Sequence, residues 1–374
     1  MKILLIEPYF GGSHQVWAEG YQRFSEHQVT LLTLPAQFWK WRMQGGAVTL
    51  ARLFNELVNE RHFQPDLILA SDMFDLSTFR ALTRQHTLNV PIALYFHESQ
   101  LTYPQNKRQS HGWRYAFTNY VSALAADQVF FNSSYHLTAF FDNLPRMLKH
   151  FADFNELETV DLLREKSSRL ALGLDLRRFD AYKRANLEDE NQPPLLLWNH
   201  RWEEEKNPRG LFEVLYRLMD EGVDFRIAIT GENVRQAPKE FEQARDKLGE
   251  RVVQFGYVDS FADYARLLWQ ADYVISTARQ EFFGGAVSEA IYCGCIPILP
   301  KRLNYPNVVP SVVHGSCLYP KDKGLYYLLR RHLAGELQVD TALLQTHISQ
   351  FDWSVMAPRY DRSFEELVQK FCKN

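Results

Sequence analysis

Cysteine, long apolar runs and excess positive charge are all scarce in this chain of 374 residues. Its four cysteines include no C-x-x-C pair, so no structural zinc site is indicated, and they are typical of core thiols in a reducing compartment. The net charge is -3, whereas a protein that coats nucleic acid non-specifically would be basic. That class of protein is therefore excluded, and any polyanion has to bind at a local patch of the surface. No stretch approaches the ~20 apolar residues of a membrane span, and the N-terminal apolar run is too short for a signal peptide. We therefore expect a cytoplasmic protein, or a nuclear one in a eukaryote.

Short apolar segments alternate with segments of helical periodicity along the whole chain. They begin at Lys2, Val29, Asp66, Pro91 and Asp127 in the first half, and at Pro194, Asp224, Val252, Asp272 and Ile296 in the second. Strands that are apolar throughout are buried on both faces, as in a parallel sheet covered by helices. The alternation therefore predicts an α/β fold with two doubly wound, Rossmann-like domains in tandem.

A polar and charged stretch that ends in two prolines, residues 181–194, separates the two series and indicates a linker. We predict an N-terminal domain over residues 1–180 and a C-terminal domain over 181–350. One or two closing helices over 351–374 are expected, for which packing back on the first domain is one option. Ligands of such sheets bind beyond the carboxyl ends of the strands, so the functional residues are expected in the loops that follow strands.

Two glycines, Gly11 and Gly12, follow the first strand and allow a backbone to approach a ligand closely. A simple tight turn explains them equally well. They are not part of a G-x-G-x-x-G fingerprint, and the Walker phosphate loop and the G-x-S-x-G elbow are absent as well.

Arg201 and Lys206 flank the loop after the first strand of the second domain. Two cations there suit a leaving diphosphate, whose negative charge grows as its bond breaks. A solvated charge pair on a loop is the alternative. Neither residue is expected in a core, so replacing either one should leave folding nearly unchanged.

Two glutamates, Glu281 and Glu289, stand on either side of Gly284 and Gly285, after a strand and at the start of a helix. The N–H groups of a glycine-rich helix start can bind phosphate. A glutamate just past that start can accept hydrogen bonds from the two hydroxyls of a ribose, and the other can face a sugar. Such a pair alone would usually be a solvated helix face, but the glycines between the two make the pattern specific.

This block resembles the Glu–seven residues–Glu signature of retaining GT-B glycosyltransferases, especially those of the large family-4 group. Arg201 and Lys206 match the phosphate clamp of that group in spacing, with His200 and Asn207 where glycines usually stand. The resemblance implies two doubly wound domains facing a cleft, a nucleotide-sugar donor and retention of anomeric configuration. It assigns a catalytic part to His97, Arg201, Lys206 and Glu281. It assigns donor binding to Gly11, Gly12, Tyr257, Val258, Phe283, Gly284, Gly285 and Glu289. Taken alone, His97 is better explained as a structural histidine of the cleft than as a catalytic one.

The first half carries a narrower resemblance, in PYFGGSH from Pro8, LYFHESQLTYPQ from Leu94 and VFFNSSYH from Val129. These blocks resemble the glycosyltransferase-like proteins that mannosylate the queuosine base of tRNA, over roughly the first 180 residues. The resemblance implies GDP-mannose as the donor and queuosine in a tRNA anticodon as the acceptor, with His14 and Glu98 on the acceptor side.

The distribution of charge points to RNA independently. Residues 99–126 contain no Asp or Glu, and they interleave cations with aromatic side chains at Tyr103, Lys107, Arg108, Trp113, Arg114 and Tyr115. Residues 164–184 hold seven Lys or Arg against three acids. An acidic protein that binds RNA would concentrate cations in this way, although ordinary surface clusters are the alternative. We predict that Lys107, Arg108 and Arg114 contact the acceptor.

The chemistry that these residues favour is a front-face displacement, because no compelling nucleophile is present. The Asp-x-Asp motif by which other transferases hold a metal is absent, so we expect no metal and no cofactor besides the donor. Two rival functions remain: transfer to a lipid or saccharide acceptor, and nucleotide binding without catalysis. The first would favour a basic amphipathic membrane helix, of which there is no strong example, and the intact set of glutamates and cations argues against the second. The sequence indicates no protein partner.

Overall fold

A computed structural model describes residues 1–102, 112–183, 192–231 and 239–373 of the chain. The chain forms two compact units, one of Met1–Leu174 with Trp353–Asn374 and the other of Asp175–Asp352. Each unit is built on a six-stranded sheet whose described strand pairs are all parallel, and helices separate its strands along the chain. The predicted α/β class with two doubly wound sheets is confirmed.

The first unit contains β1 (Lys2–Phe10), α1 (Gly12–Phe24), β2 (Gln28–Pro35), α2 (Trp39–Arg61), β3 (Leu67–Ser71), α3 (Leu76–Thr87), β4 (Ile92–Phe96), α4 (Gly112–Ala125), β5 (Gln128–Phe131), α5 (Ser134–Leu148), α6 (Thr159–Glu165) and β6 (Ser167–Arg169). Its strand order is β2-β1-β3-β4-β5-β6. β3 and β4 are buried along their whole length, and side chains such as Phe54, Phe79 and Phe131 fill the core beside the sheet. The order changes direction at β1, which has β2 on one side and β3 on the other.

The second unit contains β7 (Leu195–Asn199), α7 (Pro208–Asp220), β8 (Arg226–Thr230), α8 (Glu240–Leu248), β9 (Val252–Gly256), α9 (Phe261–Gln270), β10 (Tyr273–Ile275), α10 (Gly285–Tyr292), β11 (Ile296–Pro300), α11 (Tyr305–Val308), α12 (His314–Cys317), β12 (Leu318–Tyr319), α13 (Gly324–Leu333) and α14 (Thr341–Ser349). Its strand order is β12-β11-β10-β7-β8-β9, so the direction changes between β7 and β10. In open α/β sheets, ligands bind outside the carboxyl ends of the strands at such a change of direction. The loops after β1 and β3, and those after β7 and β10, are therefore the positions to examine.

The last helix, α15 (Trp353–Phe371), belongs to the first unit. Its Trp353 ring packs against Gly20 and Gly173, where an added Cβ would lie 2.1 Å and 2.5 Å from ring atoms. Asp361 accepts hydrogen bonds from the Tyr21 hydroxyl (2.8 Å) and the Ser25 hydroxyl (2.6 Å). Among the described residues, no helix is both long enough and apolar enough to cross a membrane.

Candidate active site

In the second unit, the turn after β7 is joined to the loop after β10 through Lys206. A short 3₁₀ turn, Glu204–Lys206, directs this side chain inward, so that Lys206 is only 7% exposed. Its Nζ donates to the Gln280 carbonyl (2.8 Å) and lies 3.4 Å from Glu281 Oε2. The Thr277 hydroxyl donates to the Lys206 carbonyl at 2.8 Å. The structure thus brings together Lys206 and Glu281, two residues that the sequence predicts for the catalytic centre.

The expectation that neither loop cation lies in a core is wrong for Lys206, because the turn buries its ammonium against a carbonyl and a carboxylate. It holds for Arg201, whose side chain is 52% exposed and whose Nη2 lies 3.5 Å from Glu203 and 4.0 Å from Glu205. Glu205 in turn lies 3.6 Å from Lys206 Nζ. The two cations therefore share an acidic neighbour but differ in burial.

Asn207 explains how the turn forms without the glycine that usually stands at this position. It has a φ of 51°, in the left-handed region, and it precedes Pro208 at the first position of α7. Asparagine tolerates this region better than most other residues. Next to His200, Gly231 leaves the necessary space, because an added Cβ would lie 1.8 Å from the His200 carbonyl oxygen.

The Glu281 carboxylate closes the loop before α10. Its Oε1 accepts the N–H groups of Phe282 (3.2 Å), Phe283 (3.4 Å) and Gly284 (3.2 Å). Burial acts to raise the Glu281 pKa, but Lys206, His200 and the Phe283 N–H outweigh burial and lower it. The N–H of Gly284, predicted to bind phosphate, therefore bonds to Glu281 within the protein.

Glu289 lies on α10 between two residues that the sequence reasoning missed. Arg178 Nη2 donates to its Oε1 at 3.0 Å, and the Tyr264 hydroxyl donates to its Oε2 at 3.2 Å. Burial raises the Glu289 pKa, with Arg178 and Tyr264 acting in the opposite direction. Asn199, at the end of β7, donates to the Ala286 carbonyl (2.8 Å) and so ties α10 to the sheet.

The interpretation of residues 164–184 as one RNA-binding cation cluster is wrong for some of its members. Arg178 binds Glu289, and Lys166 donates to the carbonyls of Leu124 (2.8 Å) and Ala126 (2.5 Å). These cations satisfy internal acceptors instead of forming a surface. An excess of positive charge along the sequence does not distinguish the two cases.

In the first unit, four buried ionisable side chains gather where β1, β3 and β4 end. His14 Nδ1 lies 3.1 Å from Glu7 Oε2, and the rings of His14 and His97 are 4.4 Å apart. Asp72, which follows β3, accepts the His97 backbone N–H at 2.8 Å. The sequence indicates His14 and His97 but not Glu7 or Asp72. An acidic residue inside an apolar strand was the available signal for Glu7.

Burial and charge separate the protonation states of these groups. Burial acts to lower the His14 pKa, but the Glu7 carboxylate outweighs it and raises that pKa to about 9. Burial lowers the pKa of His97 well below its usual value, and it raises the pKa of Asp72 to about 8. His14 is thus a cation at neutral pH, whereas His97 is neutral. The His97 Nε2 atom is buried and has no hydrogen-bond partner in the described part of the chain.

Glu7, His14 and His97 also have the ligand types for a transition-metal ion, with ligand atoms within 4.8 Å of one another. The ion pair between His14 and Glu7 accounts for their proximity without a metal, because His14 already supplies the positive charge.

The other predicted residues lie in several environments. Gly12 has a φ of 54°, which favours glycine, and Gly11 meets Ala36, where an added Cβ would lie 2.5 Å from the Ala36 Cβ. Phe283 is buried, and Gly285 begins α10. Tyr257 is exposed after β9, with Val258 next to it in the chain. The Glu98 carboxylate accepts a hydrogen bond from the Gln100 side chain, and Arg114 is exposed on α4. Tyr103, Lys107 and Arg108 lie outside the described residues.

Comparison with known proteins identifies the fold and the family. Residues 2–174 match a family model described as tRNA-queuosine alpha-mannosyltransferase N-terminal, and residues 179–330 match glycosyl transferases group 1. The tRNA-queuosine alpha-mannosyltransferase of Drosophila melanogaster is 33% identical over 98% of this chain and 97% of its own. The chain belongs to the tRNA-queuosine alpha-mannosyltransferase family. It is a glycosyltransferase, as the sequence predicts.

Solved structures that are similar to this chain support the GT-B fold. A structure of HepE from Anabaena with UDP has a TM-score of 0.68 and 17% identity over 98% of this chain and all of its own. The catalytic domain of Arabidopsis thaliana starch synthase IV has a TM-score of 0.71 and 13% identity, with both chains fully covered. A GDP-mannose-dependent phosphatidylinositol dimannoside mannosyltransferase of Mycobacterium tuberculosis is 26% identical over 50% of this chain and 53% of its own. The predicted GT-B fold is confirmed.

Proposed function

We propose that this protein transfers mannose from GDP-mannose to the queuosine base of a tRNA anticodon, with retention of configuration. The observation that carries the proposal is the match to the fly tRNA-queuosine alpha-mannosyltransferase over almost the full length of both chains. The pairing of Lys206 with Glu281 supports it, because the residues expected at the sugar and the phosphates are in contact.

The donor assignment rests on a second relative. The mycobacterial mannosyltransferase that matches half of this chain is described as GDP-mannose-dependent. In our proposal Arg201 and Lys206 bind the diphosphate, Glu289 binds the ribose and Glu281 faces mannose. Gly11, Gly12, Phe283, Gly284 and Gly285 line the donor, and the backbone near Tyr257 and Val258 holds the base.

The proposed reaction is a front-face displacement. The acceptor hydroxyl oxygen forms a bond to the anomeric carbon while the bond from that carbon to the diphosphate oxygen breaks, and a phosphate oxygen takes the hydroxyl proton. Arg201 and Lys206 stabilise the charge that develops on the diphosphate. His97 has a buried ring nitrogen without a hydrogen-bond partner among the described residues, which suits a hydrogen bond to a substrate hydroxyl. His14, Glu98, Lys107, Arg108 and Arg114 are proposed on the acceptor side.

We further propose that the reaction needs no metal or cofactor, since two cations already neutralise the leaving diphosphate, and that the enzyme acts in the cytoplasm. Dialysis against EDTA should leave the initial rate within about twofold of the untreated enzyme. A loss of activity that Zn²⁺ restores would instead assign a metal to Glu7, His14 and His97.

Incubation with radiolabelled GDP-mannose tests the function directly. Label should enter tRNA that contains queuosine and should not enter the same tRNA with guanine at that position. UDP-glucose should give no transfer to either tRNA. Label that enters lipid or oligosaccharide, but never tRNA, would refute the acceptor and leave only the donor assignment.

A further inference from the structure

The start of α2 carries an exposed segment in which aromatic and basic side chains alternate. We call residues 38–42 (Phe38, Trp39, Lys40, Trp41 and Arg42) the aromatic–basic segment. Phe38 is 76% exposed and Trp41 is 61% exposed, although both are among the largest apolar side chains. Exposed large aromatic side chains that adjoin one another indicate a binding surface.

The orientation of Trp41 is fixed by its own helix. Its ring packs on Gly45, one helical turn further on, where an added Cβ would lie 2.2 Å from a ring atom. The indole therefore lies against its own helix while the side chain as a whole remains exposed. Trp39 contacts a different helix, because its ring centroid lies 5.1 Å from that of Tyr115 on α4. These contacts present flat rings in fixed positions, which lowers the entropic cost of stacking a ligand on them.

Phe38 is held in a backbone conformation that bulky residues rarely adopt. Its φ is 53° and its ψ is 51°, in the left-handed region. Its carbonyl accepts the N–H groups of Trp41 (2.7 Å) and Arg42 (3.1 Å), so this residue begins the helix. Glycine or asparagine would fit this position with less strain. Strain of this kind, in an exposed aromatic residue that gains no burial from it, points to a functional role.

The segment adjoins the loop after β1. Phe10 pairs with Pro35 at the carboxyl ends of β1 and β2, and Gly11 contacts Ala36. This loop leads into α1, which contains His14. Residues 27–55 contain no Asp or Glu, and Arg114 is exposed next to Tyr115 on α4. The surface therefore combines stacking faces with positive charge close to the start of α1, whose His14 we propose for the acceptor side.

We propose that the aromatic–basic segment stacks against unpaired bases of the acceptor RNA, with Trp41 and Phe38 as the stacking faces and Lys40 on a phosphate. Stacking on aromatic side chains next to cations is the usual way in which proteins hold single-stranded RNA. The inference rests on the proposed function, because an anticodon loop offers such bases.

A membrane surface is the other ligand that exposed tryptophan and lysine side chains suit. A helix that lies in a membrane interface needs a free apolar face along its length. The apolar side of α2, including Met43, Leu50 and Phe54, is packed in the core of the first unit. Only the first turn of the helix presents aromatic rings, which favours RNA.

The test compares three variants with a matched control in the full-length protein. Phe38→Ala and Trp41→Ala should each weaken binding of queuosine-containing tRNA roughly 5- to 150-fold, the loss of one stacked base. Trp41→Phe should restore most of the affinity. Leu88→Ala is the control, because Leu88 is 73% exposed but lies before the amino end of β4, whereas the aromatic–basic segment follows the carboxyl end of β2. GDP binding, measured by calorimetry, should be unchanged in all four.

Two further measurements separate recognition from folding. Phe38→Gly should keep or raise the melting temperature, since it relieves the backbone strain, and should still weaken tRNA binding. Lys40→Gln should lower the slope of log Kd against log salt concentration by about 0.7, the loss of one phosphate contact on a single strand.

The outcomes distinguish this inference from the proposed function. If the wild type mannosylates tRNA but the alanine variants bind tRNA as Leu88→Ala does, the surface assignment is wrong and the function stands. If the wild type binds tRNA without mannosylating it, and the variants lose that binding, the surface stands and the function fails. Variants that lose binding to anionic phospholipid vesicles and keep tRNA binding would assign the segment to a membrane instead.

Discussion

Removal of a buried cation affects a protein differently from removal of an exposed one. Lys206→Ala leaves the Glu281 carboxylate, whose side chain is only 21% exposed, without its ammonium partner, so we expect it to cost roughly 3–5 kcal/mol of the free energy of unfolding. Arg201→Ala, on a half-exposed side chain, should change stability by less than about 1 kcal/mol. Both should lower turnover by about 10²–10³, since each removes a charge that stabilises the leaving diphosphate.

Thermal unfolding and single-turnover rates check this pair of substitutions. Arg209→Ala is the matched control, because Arg209 is an exposed arginine paired with Glu213 on α7. Wild-type turnover in the Arg201 variant would remove it from the phosphate clamp. An unchanged melting temperature in the Lys206 variant would show that the buried contacts of Lys206 do not stabilise the fold.

The two glutamates should separate nucleotide binding from transfer. Glu289→Gln should weaken GDP binding about tenfold or more, because the ribose hydroxyls lose a charged hydrogen-bond acceptor. Arg178 and Tyr264 lose the same acceptor. Glu281→Gln should leave GDP affinity nearly unchanged and reduce transfer of mannose. Calorimetry with GDP and initial rates decide between these roles, with the exposed Glu213→Gln as control. The opposite pattern would exchange the two assignments.

The ion pair between His14 and Glu7 makes the stability of the first unit depend on pH. Because the His14 pKa is raised from 6.5 to about 9, its contribution is complete below pH 6.5 and is lost as the pH rises through 9. The shift corresponds to about 3 kcal/mol at most. Asp72, with its pKa raised to about 8, adds a loss in the same direction.

Glu7→Gln tests this pair, because it removes the charge that holds the His14 pKa up. The fall in melting temperature between pH 6.5 and pH 9.5 should be smaller in the variant than in the wild type. Equal falls in the two proteins would show that His14 does not titrate in this range.

Helix α15 is attached to the first unit mainly through rings and one carboxylate. Asp361→Ala should cost about 3 kcal/mol, because it leaves the buried Tyr21 hydroxyl and the Ser25 hydroxyl without their charged acceptor. The exposed Asp142→Ala on α5 is the control and should be neutral. GDP affinity should be unchanged, since the residues that we propose for the diphosphate, the ribose and the base belong to the other unit. Unfolding monitored by tryptophan fluorescence gives the measurement, and a neutral Asp361 variant would contradict the docking contact.

Elements with a complete apolar pattern were predictable, and those defined by pairing alone were not. β3, β4 and β7 are buried along their length, and only the last residues of β3 and β7, Ser71 and Asn199, are polar, so the sequence indicates each of them. β6 has the sequence Ser-Ser-Arg and is a strand only because it pairs with β5, while β12 has just two residues. No local pattern marks either one.

The same limit applies to the candidate site. The sequence shows the residue types and their positions after strands, which is why it indicates Lys206, Glu281 and Glu289 as site residues. The hydrogen-bond partners of these residues could not be predicted from the sequence, because they are far away in the chain. Arg178 and Glu289 are 111 positions apart, and Lys206 donates to a carbonyl 74 positions away. The burial of Lys206 follows from these long-range contacts and from no feature of its own segment.

For the whole protein, the change in melting temperature on adding a nucleotide should show which nucleotide the protein binds. A ligand at about 100 times its Kd stabilises the folded state by ~2.7 kcal/mol. GDP and GDP-mannose should therefore raise the melting temperature of the wild type, and UDP and UDP-glucose should not. A shift with UDP alone would refute the donor base and leave the family assignment intact.

The second unit, Asp175–Asp352, is an insertion within the first, because the first unit is completed only by Trp353–Asn374. A ribosome therefore releases every residue of the inserted unit before it releases α15. Until then Gly20 and Gly173 face a vacant position that the Trp353 ring later fills. The half of the protein that begins synthesis is thus the last to finish folding. A premature stop just before Trp353 would damage the first unit, most of which is made early, and spare the second unit, which lies closer to that stop.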